Sequence, residues 1–331
     1  MRAPYFWSAG LDPYSRQSAP FLRFLLTPFA GLYAWGTARR IARTQPIKVE
    51  VPVICIGNLT SGGSGKTPIT QALQALLTET GAQPVTLSRG YGGALKGPVQ
   101  VDANKHSADQ VGDEPLLLAA SGAAWVGRDK VSTAQAITAT GNCIILMDDG
   151  HQNPTLHKDL SLVVIDAGAP FGNGHVIPKG PLREPIKTGL ARADCVVLIN
   201  DGETPAEVIE SGLPVIRARL EQMTALPDGP LLAFAGIGRP ERFFEALRRA
   251  GGEICDSVAF VDHHKFSKSE LKRLHAFAEV HGARLVTTEK DYIRLPEAAR
   301  SGITPIKVRA VFEDTERLLA ILSPHVSRGQ R

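Results

Sequence analysis

The residues best suited to chemistry lie in one short string. Residues 54–67 (ICIGNLTSGGSGKT) read as a strand running into a glycine-rich turn, and a helical stretch, 68–78, follows at once. Gly62, Gly63, Ser64 and Gly65 let successive backbone N–H groups turn inward around a phosphate, and the helix N-terminus adds its partial positive charge. Lys66 reaches toward β and γ oxygens, and the Thr67 hydroxyl can ligate Mg²⁺. The string therefore predicts a nucleotide site. It departs from the G-x-x-x-x-G-K-[ST] pattern at one end, where Thr60 stands in place of the first glycine. A partner strand should end in a carboxylate, and residues 143–149 (CIILMDD) supply Asp148 and Asp149. Adjacent carboxylates repel unless a cation or donors offset them, so one of the pair is expected to face the metal.

The remaining choice is between kinds of nucleotide chemistry. Guanine specificity calls for Asn-Lys-x-Asp, and the nearest string, 288–291 (TEKD), lacks both the asparagine and the spacer. Partition-type ATPases carry a lysine before the double glycine, where this chain has Ser61. Ordinary ATP-dependent transfer or hydrolysis remains, and transfer requires a base for the acceptor hydroxyl. Three loops offer candidates. Residues 111–115 (VGDEP) place Asp113 and Glu114 before a helical stretch, where either can simply cap it. Residues 178–185 (PKGPLREP) hold Arg183 and Glu184 side by side, either as a phosphate and metal pair or as a surface ion pair of little worth. Residues 260–266 (FVDHHKF) bring histidines in the second half of the chain, either solvated or delivered across a cleft.

Positioning these groups takes a scaffold. Short β-branched runs at 53–56, 84–87, 143–147, 160–165 and 195–199 alternate with helical stretches, which reads as βαβ units around a parallel sheet. After a turn-rich segment at 226–230, runs at 231–235, 283–287 and 304–308 alternate with helices at 241–250 and 268–281. The expected fold is α/β: a P-loop NTPase-like parallel-sheet domain over 46–225 with a second, smaller α/β domain over 226–331. Residues 1–45 form a helical membrane-associating segment in this division. Segments 215–220 and 303–308 are expected to pair as linker strands, with a terminal helix at 315–322 returning to a core.

At 331 residues, 43% hydrophobic and 21% charged, the chain has globular composition, and its formal charge of +4 offers no broad basic surface for nucleic acid. Cys55, Cys143, Cys195 and Cys255 are too far apart for a zinc site, and buried free thiols in a reducing compartment are expected. Residues 20–35 (PFLRFLLTPFAGLYAW) are apolar and aromatic, but Arg23 interrupts them and Pro20 and Pro28 are expected to break a continuous span. A bilayer crossing needs about 20 mainly apolar residues. A secretory signal is not supported either, so the chain is expected to stay inside the cell. With Arg39, Arg40 and Arg43 behind it, the segment is either a core helix capped by solvated arginines or an in-plane anchor on an anionic leaflet.

Taken together, residues 57–60 (GNLT), 62–68 (GGSGKTP), 88–92 (SRGYG), 112–115 (GDEP), 148–152 (DDGHQ), 177–185 (IPKGPLREP), Asp262 with His263, and 288–291 (TEKD) resemble the tetraacyldisaccharide 4′-kinases, the lipid A kinases of Gram-negative bacteria. The resemblance runs along nearly the whole chain. It implies an enzyme of lipid A biosynthesis that passes the ATP γ-phosphate to the 4′-hydroxyl of a tetraacyl glucosamine disaccharide 1-phosphate. It also implies a peripheral or monotopic position on the cytoplasmic face of the inner membrane, which makes the anchor the favoured reading of residues 20–43. By the same resemblance Asp113 is the general base and His263 its dyad partner, although His264 directly follows. Lys66 and Thr67 would hold phosphates and Mg²⁺, with Asp148, Asp149 and Glu184 in the metal region, Arg183 near the phosphates, and Arg89 and Tyr91 toward the lipid headgroup. His151 stands where the family more often has phenylalanine, and no catalytic role attaches to it. The competing class is a membrane-associated P-loop ATPase or nucleotide switch acting on a protein partner, which has no need of an acceptor base.

Overall fold

The computed structural model of the chain describes residues 4–8 and 15–329. After α1 (Pro20–Arg43) come β1 (Val53–Gly57), α2 (Lys66–Glu79), β2 (Pro84–Ser88), β3 (Val99–Gln100), α3 (Ala108–Val111), α4 (Asp113–Ala119), β4 (Ala124–Val126) and α5 (Lys130–Thr138). The series continues through β5 (Ile144–Asp148), β6 (Leu160–Asp166), α6 (Ile186–Leu190), β7 (Cys195–Ile199), α7 (Ala206–Ser211) and β8 (Val215–Gln222). A second series follows: β9 (Leu231–Ala235), α8 (Pro240–Arg249), β10 (Ile254–Ala259), α9 (Lys268–Val280), β11 (Arg284–Thr288), α10 (Glu289–Arg294) and β12 (Ile303–Ile306). The chain closes with β13 (Val308–Phe312) and α11 (Thr315–Gly329).

Strands buried at every position, such as β1, β5, β6 and β7, need apolar cover on both faces. The period-2 alternation supplies it. Ile54 and Ile56 pack with Ile69, Leu73 and Leu77 of α2 and with Leu318 and Leu322 of α11, whereas Val53 and Cys55 pack with Ala134 and Ile137 of α5 on the opposite face. The first sheet has nine strands in the order β13-β8-β7-β6-β1-β5-β2-β4-β3. Only β13 with β8 and β3 with β4 are antiparallel. Because β1 pairs with β5 on one side and β6 on the other, it sits where the winding reverses, which is where α/β sheets open a crevice at their carboxyl ends. The second sheet, β10-β9-β11-β12, is parallel throughout and has its own core around Phe234, Leu271 and Leu274 on one side and Phe244 and Leu247 on the other.

The expected pairing of 215–220 with 303–308 is corrected. Residues 303–306 are β12 of the small sheet, beside β11, and the partner of β8 is the next strand, β13. Burial explains the switch: Ile303 and Ile306 enter the small-sheet cores, whereas Ala310 and Phe312 enter the core behind β1. The chain thus changes sheet at Lys307. Cys55, Cys143 and Cys195 are buried free thiols and Cys255 is exposed.

Helix α1 runs unbroken for 24 residues. The expected break at Pro28 does not occur; Pro20 sits in the first turn, where no backbone donor is needed, and Pro28 is carried inside the helix. Nor is α1 a core helix, for Ala30 is its only buried residue. Phe21, Phe24, Phe29, Leu32 and Trp35 are exposed. Among the described residues no helix is long and apolar enough to cross a membrane.

Candidate active site at the phosphate loop

The phosphate loop joins β1 to α2. Gly62 and Gly65 have φ of +114° and +73°, which side chains other than glycine rarely adopt, and a Cβ on Gly65 would fall 2.4 Å from Ile199 Cδ1. Asn58 braces the turn from within, its Nδ2 donating to Thr60 O and to Ser64 Oγ, each at 2.7 Å. The loop is also pinned from outside. Ser61 N–H donates to Pro181 O at 2.7 Å and Arg183 N–H to Leu59 O at 2.8 Å, with Thr60 bridged to Leu182 in antiparallel fashion. This explains the departure at Thr60, since an extended, strand-like position suits a β-branched residue better than glycine.

Asp148 ends β5, and β5 lies directly beside β1, with Ile56 opposite Asp148. Asp148 Oδ1 accepts from Thr70 Oγ1 at 3.3 Å. Burial first, and then the charge of Glu114, push the Asp148 carboxyl up to about 7. Asp149 goes the other way. Burial raises it, but Lys66 and Arg183 outweigh that effect and hold it well below the usual carboxylate range. Its Oδ1 lies 3.4 Å from Lys66 Nζ and accepts from Arg183 Nη1 at 2.7 Å. Lys130 is buried nearby, pushed down to about 8 by desolvation against the opposing charges of Asp148 and Asp149. Carboxylates and the first-turn hydroxyl of Thr67 are oxygen donors only. Such a set fits Mg²⁺, which takes few protein ligands and completes its shell with phosphate and water.

Glu184 is nearly fully buried, and both its oxygens accept from Arg192 Nη2 at 2.7 Å. Gln152 connects it to the loop, donating from Nε2 to Glu184 Oε1 at 2.9 Å and to Asn58 O at 2.8 Å. His151 is buried with Nε2 2.9 Å from Gly189 O, and Gly57 must lack a Cβ because one would sit 2.4 Å from His151 Cβ. Asn58, Lys130, Gln152 and Arg192 were not singled out as site residues from the sequence. Only Asn58, inside the 57–60 string, and Gln152, inside the 148–152 string, carried a signal.

The second cluster spans both lobes. Asp113 opens α4 after Gly112, whose φ of +93° and lack of room for a Cβ against Tyr91 O fix the entry into the helix. Its Oδ2 lies 3.2 Å from His263 Nδ1, contributed by the loop after β10. Burial pushes the Asp113 carboxyl up, but the hydrogen bond from His263 and the charges of Lys290 and Arg294 prevail and hold it well below the usual range. With Asp113 ionised and the guanidinium permanently charged, the proton on Nδ1 points at the carboxylate. His263 has φ +56° and is fixed by N–H donation to Gly236 O at 3.1 Å. The alternative, His264, turns away, stacked on Phe260 at 4.6 Å and bound to Glu270 at 3.2 Å. Tyr91 lies over His263 with ring centroids 5.3 Å apart, and Arg89 is exposed on the same loop after β2.

The lobes meet around the phosphate loop. A Cβ built on Gly238, in the loop after β9, would lie 3.2 Å from Gly63 N and 3.6 Å from Asp262 Oδ2. Asp166, at the end of β6, is buried between Arg239 and Arg242 from the second lobe, and Lys290 of α10 reaches Glu114 at 2.8 Å. Glu114, next to Asp113 in sequence, also raises the Asp148 carboxyl by its charge, so the two clusters are electrostatically coupled.

A doubly wound sheet with this loop at its switch point, and a second lobe closing on it, defines a P-loop nucleotide-binding α/β protein. The family described as LpxK, tetraacyldisaccharide-1-P 4′-kinase, matches residues 22–327. A tetraacyldisaccharide 4′-kinase of Hyphomonas neptunium is 57% identical over 99% of both chains. One from Maricaulis maris is 47% identical over 97% of this chain and 96% of its own. The crystal structure of LpxK from Aquifex aeolicus in complex with ATP superposes with a TM-score of 0.73 at 26% identity, covering 92% of this chain and 99% of that one. The chain belongs to the tetraacyldisaccharide 4′-kinase family.

Proposed function

We propose that this kinase transfers the γ-phosphate of ATP to the 4′-hydroxyl of a tetraacyl glucosamine disaccharide 1-phosphate in lipid A biosynthesis. The observation that carries the reading is the meeting of Asp113 and His263, from separate lobes, where the neighbouring Asp262 and Gly63 of the phosphate loop both approach Gly238. A nucleotide switch has no use for an acceptor base there. The loop amides of Gly62, Gly63, Ser64 and Gly65 wrap the phosphates, Lys66 and Arg183 draw charge off the transferring group, and Asp113 takes the hydroxyl proton with His263 polarising the carboxylate. Thr67, Asp148 and Asp149 would hold Mg²⁺, with Glu184 supporting that region through Gln152. Bound there, the metal neutralises charge on the phosphate oxygens. Arg89 and Tyr91 face the sugar headgroup. Purified protein given ATP, Mg²⁺ and the disaccharide 1-phosphate in detergent should yield the 4′-phosphate, and absence of transfer across detergent and lipid conditions would refute the reading.

The acceptor carries four acyl chains and stays in a bilayer, so α1 acquires a purpose. Its exposed aromatic and aliphatic side chains, followed by Arg39, Arg40 and Arg43, suit peripheral or monotopic seating on the anionic cytoplasmic face of the inner membrane. Deleting residues 1–43 is expected to release the protein from anionic vesicles in a sedimentation assay. Undiminished binding of the truncated chain would count against the anchor.

A further inference from the structure

Of the string at 288–291 only Lys290 has entered the account above, yet the string builds a buried device beside the acceptor base. Thr288 caps α10, accepting the Asp291 N–H at 3.0 Å and donating its hydroxyl to Asp291 Oδ2 at 2.7 Å. Asp291 Oδ2 also takes the Gly236 N–H at 2.9 Å. One turn on, Arg294 is only 8% exposed at its side chain. Its Nη1 donates to Asp291 Oδ1 and to Gly236 O, both at 2.9 Å. Its Nε donates to Asp113 Oδ2 at 2.6 Å, its Nη2 binds the same oxygen, and Nη2 lies 3.1 Å from His263 Nδ1. The Gly236 carbonyl that receives Arg294 also receives the His263 N–H. A buried cation with this many fixed acceptors is far costlier to place than a surface one, and its planar fork sets direction as well as charge.

We propose that Arg294 is the positioning residue of the acceptor base, tying Asp113 of the first lobe to the Gly236–Asp291 floor of the second so that carboxylate and His263 align only when the lobes are together. This inference rests on the kinase reading. The groups facing Asp113 are the Glu114 amide on its own helix, His263 from the loop after β10, and Lys290 and Arg294 from α10. Arg294 therefore supplies the fork that neither Lys290, 3.9 Å away, nor His263 can replace.

The test uses full-length protein, ATP, Mg²⁺ and the disaccharide 1-phosphate in detergent. Arg294→Met is paired with Asp291→Asn, so that no buried acid is orphaned and the fold survives. The double variant should lose about 100-fold in kcat while KM for ATP stays within about threefold, because the loss falls on the base alone. The cation in direct contact with Asp113 is then gone, while the Asp291 charge removed with it made no contact with that carboxylate, so the acid limb of the kcat profile should move up by about one to three pH units. Arg294→Lys, which keeps the charge and fills the space, should recover part of the rate with its acid limb near that of the wild type. A double variant with wild-type melting, kcat and pH profile overturns the proposal. So does a fall in kcat matched by a rise in KM for ATP and a lowered melting temperature, with no shift of the acid limb, since that signals a merely structural role. Failure of the wild-type protein to transfer phosphate would strike the kinase reading instead.

Discussion

Lys66→Ala is expected to lower kcat/KM for ATP by about 10³-fold, with weakened nucleotide binding in an equilibrium titration. The phosphoryl transition state is loose, its charge spread over equatorial oxygens, so a cation at the loop contributes more than proton removal does. The lysine is built in from two directions. It opens α2, directly after the left-handed Gly65 that caps the helix, and its Nζ lies 3.4 Å from Asp149. Its loss leaves Arg183 as the remaining ion-pair partner of Asp149 among the described residues, so the variant should lose ground-state binding as well as rate.

Asp113→Asn is expected to lower kcat by about 10² to 10⁴ while ATP binding survives. Asparagine keeps the shape but cannot accept the hydroxyl proton, and the partners of Asp113 are the Glu114 amide, His263, Lys290 and Arg294 rather than the phosphate loop. The variant leaves Arg294 and Lys290 facing a neutral amide, so a thermal melt belongs beside the kinetics to separate chemistry from stability. If Asp113→Asn and Lys66→Ala weakened ATP affinity equally, the division of labour between base and phosphate cradle would be wrong.

Much of this organisation could be read in the residues. The large sheet was legible because β1, β2, β5, β6 and β7 are buried on both faces and so appear as unbroken apolar runs. β10 was missed because its edge position leaves Cys255 and Asp256 exposed, which breaks the run. β3 and β4, short and at the far edge, carry too few residues to show a period. The swap of β12 and β13 escaped because a single residue, Lys307, separates strands of different sheets. At the site, Gly62–Thr67 and Asp148–Asp149 were legible because phosphate and metal chemistry constrain local spacing. Arg294 was not, since its meaning depends on Asp113, which lies 181 residues earlier in the chain. The Asp262-His263 pair already favoured His263 over His264, and the geometric reason is the His263 N–H bond to Gly236 O, with one ring toward Asp113 and the other on Phe260.

The small sheet leaves the large one after β8 and the chain comes back through β13, and Gln222 and Val308 face each other in that antiparallel ladder. The closing lobe is therefore a guest spliced into its host at a hairpin neck, with both covalent links side by side. Such a neck makes the lobe removable in principle: a short turn joining 222 to 308 would keep β13 and α11 in place, whereas trimming the chain from its carboxyl end would strip Leu318 and Leu322 from the core behind the phosphate loop.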